Sequence, residues 1–213
     1  MAGTRPFETV IRERRATPHF DGVPLPEAAL TSILEHGLMA PSGYNLQPWR
    51  FLVLRSAENK AKLRQAAFDQ PKITEASAVI VAFAPRDGWK QTADEVFSLS
   101  AARGAIPADK KDQAQARAVQ FVEKLDRAVW LNRHVMIAFT HLMLAAEAAG
   151  WDTAPMEGFD AAAVRAALGL PSDCEVVALL AIGRLKGPDK PDPGRLPLAQ
   201  VVFNETPNRP WGQ

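Results

Sequence analysis

The sequence predicts an α+β domain that carries an extended C-terminal arm, and three observations lead there. Two uninterrupted apolar runs, SAVIVAFA at 77–84 and VVALLAIG at 176–183, have the length and composition of strands covered on both faces. Around them lie segments whose apolar residues recur at helical spacing. Residues 186–197, KGPDKPDPGRLP, hold four prolines and read as extended and stiff. At 213 residues, and roughly 150 residues per domain, one domain spanning 1–213 is expected. A chain of this size buries about 70% of the surface its unfolded form exposes, so a substantial core is available.

In chain order, the first predicted helix places Phe7, Val10, Ile11 and Arg14 on one face. A guanidinium therefore ends an apolar, inward-facing stripe. Either it snorkels at a helix end, or it meets a carboxylate or a phosphate, because a buried unpaired charge is costly. Pro26 opens a second helix with Leu30, Ile33, Leu34 and Leu38 as its buried stripe. Residues 50–55 read as a strand, and Ser56 caps a third helix running through Phe68. Residues 91–126 turn polar and charged, which fits a variable, flexible cap or a solvated helical excursion. Residues 127–149 form a long helix, apolar on nearly every side and ended by Gly150, as suits a core or a subunit interface. Asp160 caps a short helix that stops at Gly169. A last strand is predicted at 200–203, where an arm ending in a strand can join a sheet in the same chain or in a second subunit.

Composition excludes several classes. Twenty-five basic against twenty-four acidic residues argue against a nucleic-acid binder or an adhesive for anionic membranes. The N-terminus lacks the apolar run of a secretory signal, and no apolar stretch approaches the ~20 residues that cross a bilayer. The single cysteine, Cys174, excludes an internal disulfide framework and fits a reducing compartment, so a cytoplasmic location is expected. There is no Gly-x-Gly dinucleotide fingerprint, no P-loop, no His-Glu-x-x-His and no Gly-x-Ser-x-Gly. His134 and His141, seven residues apart on one helix face, are expected to be packed or interface histidines, and no metal site is predicted.

Four segments carry a family resemblance. PSGYNLQPW at 41–49 resembles the Pro-Ser-Ser-x-Asn-x-Gln-Pro-Trp signature of the FMN-dependent nitroreductase family. Arg14-Arg15 followed by Phe20-Asp21 resembles its N-terminal Arg-x-Ser motif. Pro155-Met156-Glu157-Gly158-Phe159 resembles its Pro-x-Glu-Gly-Phe loop, and Arg195-Leu196-Pro197 the Arg-Leu-Pro before its last strand. The resemblance spans about residues 7 to 205 and leaves 91–126 unmatched. It implies a nitroreductase-like fold: a central, mainly antiparallel sheet flanked by helices, with a domain-swapped C-terminal arm and one FMN at each interface of a homodimer.

The resemblance also implies roles. Arg14 and Arg195 would grip the FMN phosphate, for which an arginine fork is well shaped. Arg15 and Ala16 would touch the cofactor mainly through the backbone. Pro41, Ser42, Gly43 and Asn45 would reach the flavin of the partner subunit, Gly43 allowing close backbone approach. Gln47 and Trp49 would be structural. Glu157 and Gly158 would present backbone groups to the reactive flavin nitrogen. Lys72, with Asp69 or Gln70, would face the pyrimidine edge, where a cation stabilises the reduced anionic ring; a plain surface lysine is the alternative. No side chain is expected to be catalytic, because the cofactor carries the chemistry. The implied reaction is ping-pong, with NADH or NADPH reducing FMN and a small nitroaromatic or quinone-type acceptor then taking the electrons. Alternatives are another flavin-dependent reduction, such as dehalogenation or enone reduction, and a flavin-binding protein with little turnover. Three departures stand out: Ala16 replaces the motif serine, while Pro18 and Pro193 occupy commonly basic positions.

Overall fold

The computed structural model describes residues 4–212. In chain order the elements are α1 (Phe7–Glu13), α2 (Glu27–Leu38), β1 (Arg50–Leu54), α3 (Ala57–Ala66), α4 (Lys72–Glu75), β2 (Ala78–Pro85), α5 (Gly88–Ala102), α6 (Lys111–Glu123), α7 (Arg127–Ala148), β3 (Asp152–Met156), α8 (Ala161–Leu168), β4 (Cys174–Gly183) and α9 (Leu198–Val201). The four strands form one sheet in the order β1-β2-β4-β3, and every neighbouring pair is antiparallel. The outer edge of β1 carries no ladder to any described residue.

Alternation along β2 and β4 explains why both read as continuous apolar runs. Ile80, Ala82, Leu180 and Ile182 enter one core with α2 and α7, while Val79, Val81, Leu179 and Ala181 enter a second core with α3 and α8. The sheet is thus covered on both faces. α2 lies directly along α7, and Gly37 makes this possible: a Cβ there would stand 2.2 Å from Leu142 Cδ2. Local capping matches the sequence. Ser56 accepts from Asn59 N at 3.2 Å, and Asp160 accepts from Ala162 N and Ala163 N at 2.8 and 3.0 Å.

Two expectations are corrected and one pair of alternatives is decided. α1 does not bury its whole stripe: Val10 is buried, but Phe7 and Ile11 are exposed, and the helix ends at Glu13. It ends there because Arg14 turns to extended backbone, which carries Ala16 into a parallel bridge with Thr153 and lets Thr17 N donate to Thr153 O. Of the two readings of residues 91–126, the helical excursion is the one observed, in place of a flexible cap. α5 and α6 are pinned by buried Phe97, Ala118 and Val122 and by the pairs Lys111–Asp94 and Lys90–Glu123. Residues 200–203 make no strand within the chain: Pro197 starts the four-residue α9 and Phe203 forms a single bridge with Pro210. With no sheet edge of its own chain against it, this segment satisfies its backbone locally.

Candidate functional site

Eight of the twelve sequence-predicted residues lie along one circuit of contacts beside the edge strand β3. The circuit starts at the Ala16–Thr153 bridge, which sets Arg14 and Arg15 against β3. β3 then runs out into Glu157 and Gly158. Gly158 O accepts from Gln70 Nε2 at 2.8 Å, so the 155–159 loop is tied to the turn before α4. Of the two candidates named beside Lys72, Gln70 is the one that makes this link. Asp69 is held by Arg64, at 2.7 Å from Nε and 3.2 Å from Nη2. Lys72 opens α4 half-buried, and burial together with the positive charge of Lys190 holds its ammonium below the usual lysine range. Lys190 belongs to the arm, whose Asp192 pairs with Arg15 at 3.0 Å and lies 4.0 Å from Arg195. The Arg15–Asp192 pair closes the circuit.

The electrostatics of this region are uneven. Arg15 is well satisfied: Nη1 donates to Arg12 O and Arg14 O at 2.7 and 3.0 Å, and Nη2 meets Asp192. Arg14 is not, because its Nη1 is buried without any hydrogen-bond partner among the described residues. Beneath it sits Glu147, the only acidic residue of α7 and 3% exposed. Burial pushes the Glu147 carboxyl up to about 7, opposed by hydrogen bonds from Thr153 and by the charge of Arg14. Beside Glu157 opens a cleft of about 280 Å³ with an apolar floor of Met136, Phe139, Met156 and Ala178.

The remaining four residues sit elsewhere, in the α2–β1 loop against the first turns of α7. Ser42 Oγ accepts from Gln47 N at 3.0 Å, and Pro41 and Asn45 are exposed. Gly43 meets the protein itself: a Cβ there would lie 3.2 Å from His134 Nε2 and 3.6 Å from Trp130 Nε1. The left-handed backbone falls on its neighbours, with φ of 55° at Tyr44, 57° at Asn45 and 44° at Gln47. Phe68 and Asp69, next to Gln70, are also left-handed, at 52° and 55°. Strained non-glycine backbone therefore occurs in both predicted cofactor loops. Leu46 and Trp49 anchor the first loop in the core, which bears out the structural reading of Trp49. No hydrogen bond or ion pair joins this loop to the β3 circuit among the described residues.

Other features fall outside the site. His134 packs on Trp130 and its Nδ1 lies 2.8 Å from Trp130 O, a packed histidine as expected. A groove of about 480 Å³ lined by Leu34, Trp49, Phe51, Val96 and Leu99 lies at the β1 edge, opposite β3. No helix among the described residues is long and apolar enough to cross a membrane. Sequence reasoning missed Glu147, Thr153 and Asp192. The signal for Glu147 was present, as the lone carboxylate of an apolar helix; Thr153 and Asp192 carry none.

Comparison with known proteins places this geometry. A 196-residue match to a protein named NADH dehydrogenase from Thermus thermophilus is 38% identical and covers 92% of this chain and 94% of that one. A Bacillus subtilis protein named as a candidate NAD(P)H nitroreductase, YdgI, is 36% identical, with 86% and 90% covered. Among solved structures, a candidate nitroreductase from Exiguobacterium sibiricum in complex with FMN superposes with a TM-score of 0.87 at 28% identity, covering 95% of this chain and 99% of that one. A candidate NAD(P)H:FMN oxidoreductase from Staphylococcus epidermidis reaches 0.89 at 27% identity, with 96% and 98% covered. The model of the Nitroreductase family matches residues 11–184, which include β1 to β4 and both strained loops. The chain belongs to the Nitroreductase family, a family of oxidoreductases.

Proposed function

We propose that this protein is an FMN-dependent oxidoreductase that draws hydride from NADH or NADPH and reduces nitroaromatic or quinone-type acceptors, with each flavin held between two copies of the chain. The observation that carries the reading is the buried, partnerless Arg14 Nη1, in a region where Arg15, Lys72, Lys190 and Arg195 also converge. An orphaned buried donor among like charges calls for an anion with several acceptor oxygens, and a flavin phosphate has that form.

The residues present fit such a group. Arg14 and Arg195 would take the phosphate, Arg15 and the Ala16 backbone its linking chain, and Gln70 and Lys72 the pyrimidine edge. Glu157 and Gly158 would offer backbone groups to the reactive nitrogen, over the apolar floor of Met156 and Phe139. The hydroxyl that the motif serine would add is absent at Ala16. When bound, FMN supplies the two-electron chemistry, accepting from the nicotinamide and donating to the acceptor in alternate half-reactions. The chain's own work is to bind, to orient and to exclude water.

Two features support a homodimer with shared sites. Pro41, Ser42, Gly43 and Asn45 are not joined to the β3 circuit by any hydrogen bond or ion pair among the described residues, which fits a second copy bringing them there. Phe7, Ile11, Leu198, Val201 and Trp211 are exposed on the two terminal segments, and apolar surface of this kind fits a subunit interface. A swapped arm would join the two copies. The single Cys174 is buried, which suits the cytoplasm.

The test is direct. The purified protein should be yellow, or become so with FMN, and NADH or NADPH should bleach it in the absence of air. Menadione or a nitrofuran should restore the colour. A protein that takes up no FMN would overturn the reading, and one that no nicotinamide bleaches would leave flavin binding without turnover.

A further inference from the structure

The arm bends at Asp192-Pro193-Gly194-Arg195, and Asp192 serves two ends there. Its Oδ1 accepts from Gly194 N at 2.9 Å, shaping a turn in which Gly194 takes φ of 79°. Its Oδ2 meets Arg15 Nη2 at 3.0 Å, and Arg195 Nη1 lies 4.0 Å from its Oδ1. Among the described residues, Asp192 is the only anion paired with either arginine. Two residues earlier, Lys190 brings a positive charge toward Lys72. The arm therefore delivers cations to the circuit and, with them, a carboxylate that already engages Arg195 of the arm and Arg15 of the circuit.

Resting on the flavin reading above, we propose that Asp192 is an internal stand-in for the flavin phosphate: held in place by Arg15, its carboxylate competes with that phosphate for Arg195 and sets how strongly the protein favours phosphorylated over unphosphorylated flavin. The Asp192–Arg195 pair is exchangeable, because the two side chains are 58% and 69% exposed and exposed ion pairs are weak. A phosphate dianion carries the larger charge and more acceptor oxygens, so it displaces a single carboxylate. The displaced Asp192 stays tethered by its turn beside the dianion and repels it. Both effects oppose FMN and neither touches riboflavin, which lacks the phosphate.

Asp192→Asn separates charge from shape, since an amide oxygen still accepts from Gly194 N. Flavin-stripped protein is titrated with FMN and with riboflavin, and binding is followed by quenching of flavin fluorescence. The variant is expected to bind FMN roughly three- to tenfold more tightly than the parent, with riboflavin affinity unchanged. Inorganic phosphate, added as a competitor, should displace FMN from both at proportionately scaled concentrations. Asp192→Glu, which keeps the charge, should behave like the parent. Unchanged or weakened FMN binding in Asp192→Asn would overturn the proposal, and so would equal tightening of both flavins, which points to the arm's shape. If the parent binds neither flavin, the flavin reading falls and this proposal with it; if the parent binds FMN and the variant matches it, this proposal alone falls.

Discussion

Thr153 donates both its backbone N–H and its hydroxyl to one oxygen of Glu147, at 3.0 and 2.7 Å, and all of these groups are buried. The pair fastens the end of α7 to β3 at the point where Arg14 passes over both. It also makes stability depend on pH. A carboxyl held at about 7 in the fold, against an ordinary 4.5, favours the protonated form in the folded state. Its contribution is fully present below about pH 4.5 and is withdrawn as pH rises through 7. Urea unfolding at about pH 5 and about pH 8 should therefore show a loss on the order of 2–3 kcal/mol attributable to this residue. Glu147→Gln keeps an acceptor for Thr153 and should flatten that dependence. An equal pH profile in the variant would assign the loss to other groups.

Gly37 and Leu142 touch across the α2–α7 contact with no room for a methyl group. Leu142 is fully buried, so it cannot swing clear cheaply. Gly37→Ala is expected to cost about 1–3 kcal/mol of stability, read as a lower urea midpoint at unchanged slope. Combining it with Leu142→Val should recover part of that loss, a non-additive result characteristic of residues in contact.

The phosphate assignment can be tested through retention alone. Arg14→Ala and Arg195→Ala should each weaken FMN binding on the order of tenfold or more while changing riboflavin affinity little. Equilibrium dialysis against both flavins measures it. FMN occupancy equal to the parent's in either variant would remove that arginine from the phosphate site.

Shared sites predict complementation. Arg14→Ala damages the β3 circuit, and Ser42→Ala with Asn45→Ala damages the α2–β1 loop. Each variant alone should hold little FMN. Unfolded together and refolded as a mixture, half the dimers are hybrids with one intact site, so flavin occupancy should recover to about a quarter of the parent's. No recovery would place all twelve residues in sites within one chain.

Much of this was legible in the sequence where one physical cause dominated. β2 and β4 were readable because two cores cover them and leave no polar face to interrupt the run. Asp160 and Ser56 announced helices through local hydrogen bonds. β3 was not readable: DTAPM is short, contains a proline and lies at a sheet edge, where pairing rather than pattern makes a strand. α1 was misjudged because its spacing marks an apolar face without saying what covers it, and within one chain only Val10 is covered. The motif residues were named one by one, and the fold sets eight of them beside β3, yet Asp192 was invisible, since a carboxylate in a proline-rich arm has no local signature. Its meaning comes from Arg15, at the other end of the chain.

The outer edge of β1, unpaired among the described residues, has a consequence for handling the protein. Half-buried Phe51, Leu52 and Val53 stand in a row of unpaired backbone groups, which is a template for any extended chain that arrives. Nascent or refolding copies will compete for that seam, and an orderly fifth strand and an amorphous aggregate differ only in which segment reaches it first. Yield on refolding should fall as protein concentration rises, and the decisive variable will be the time each chain spends without its proper neighbour.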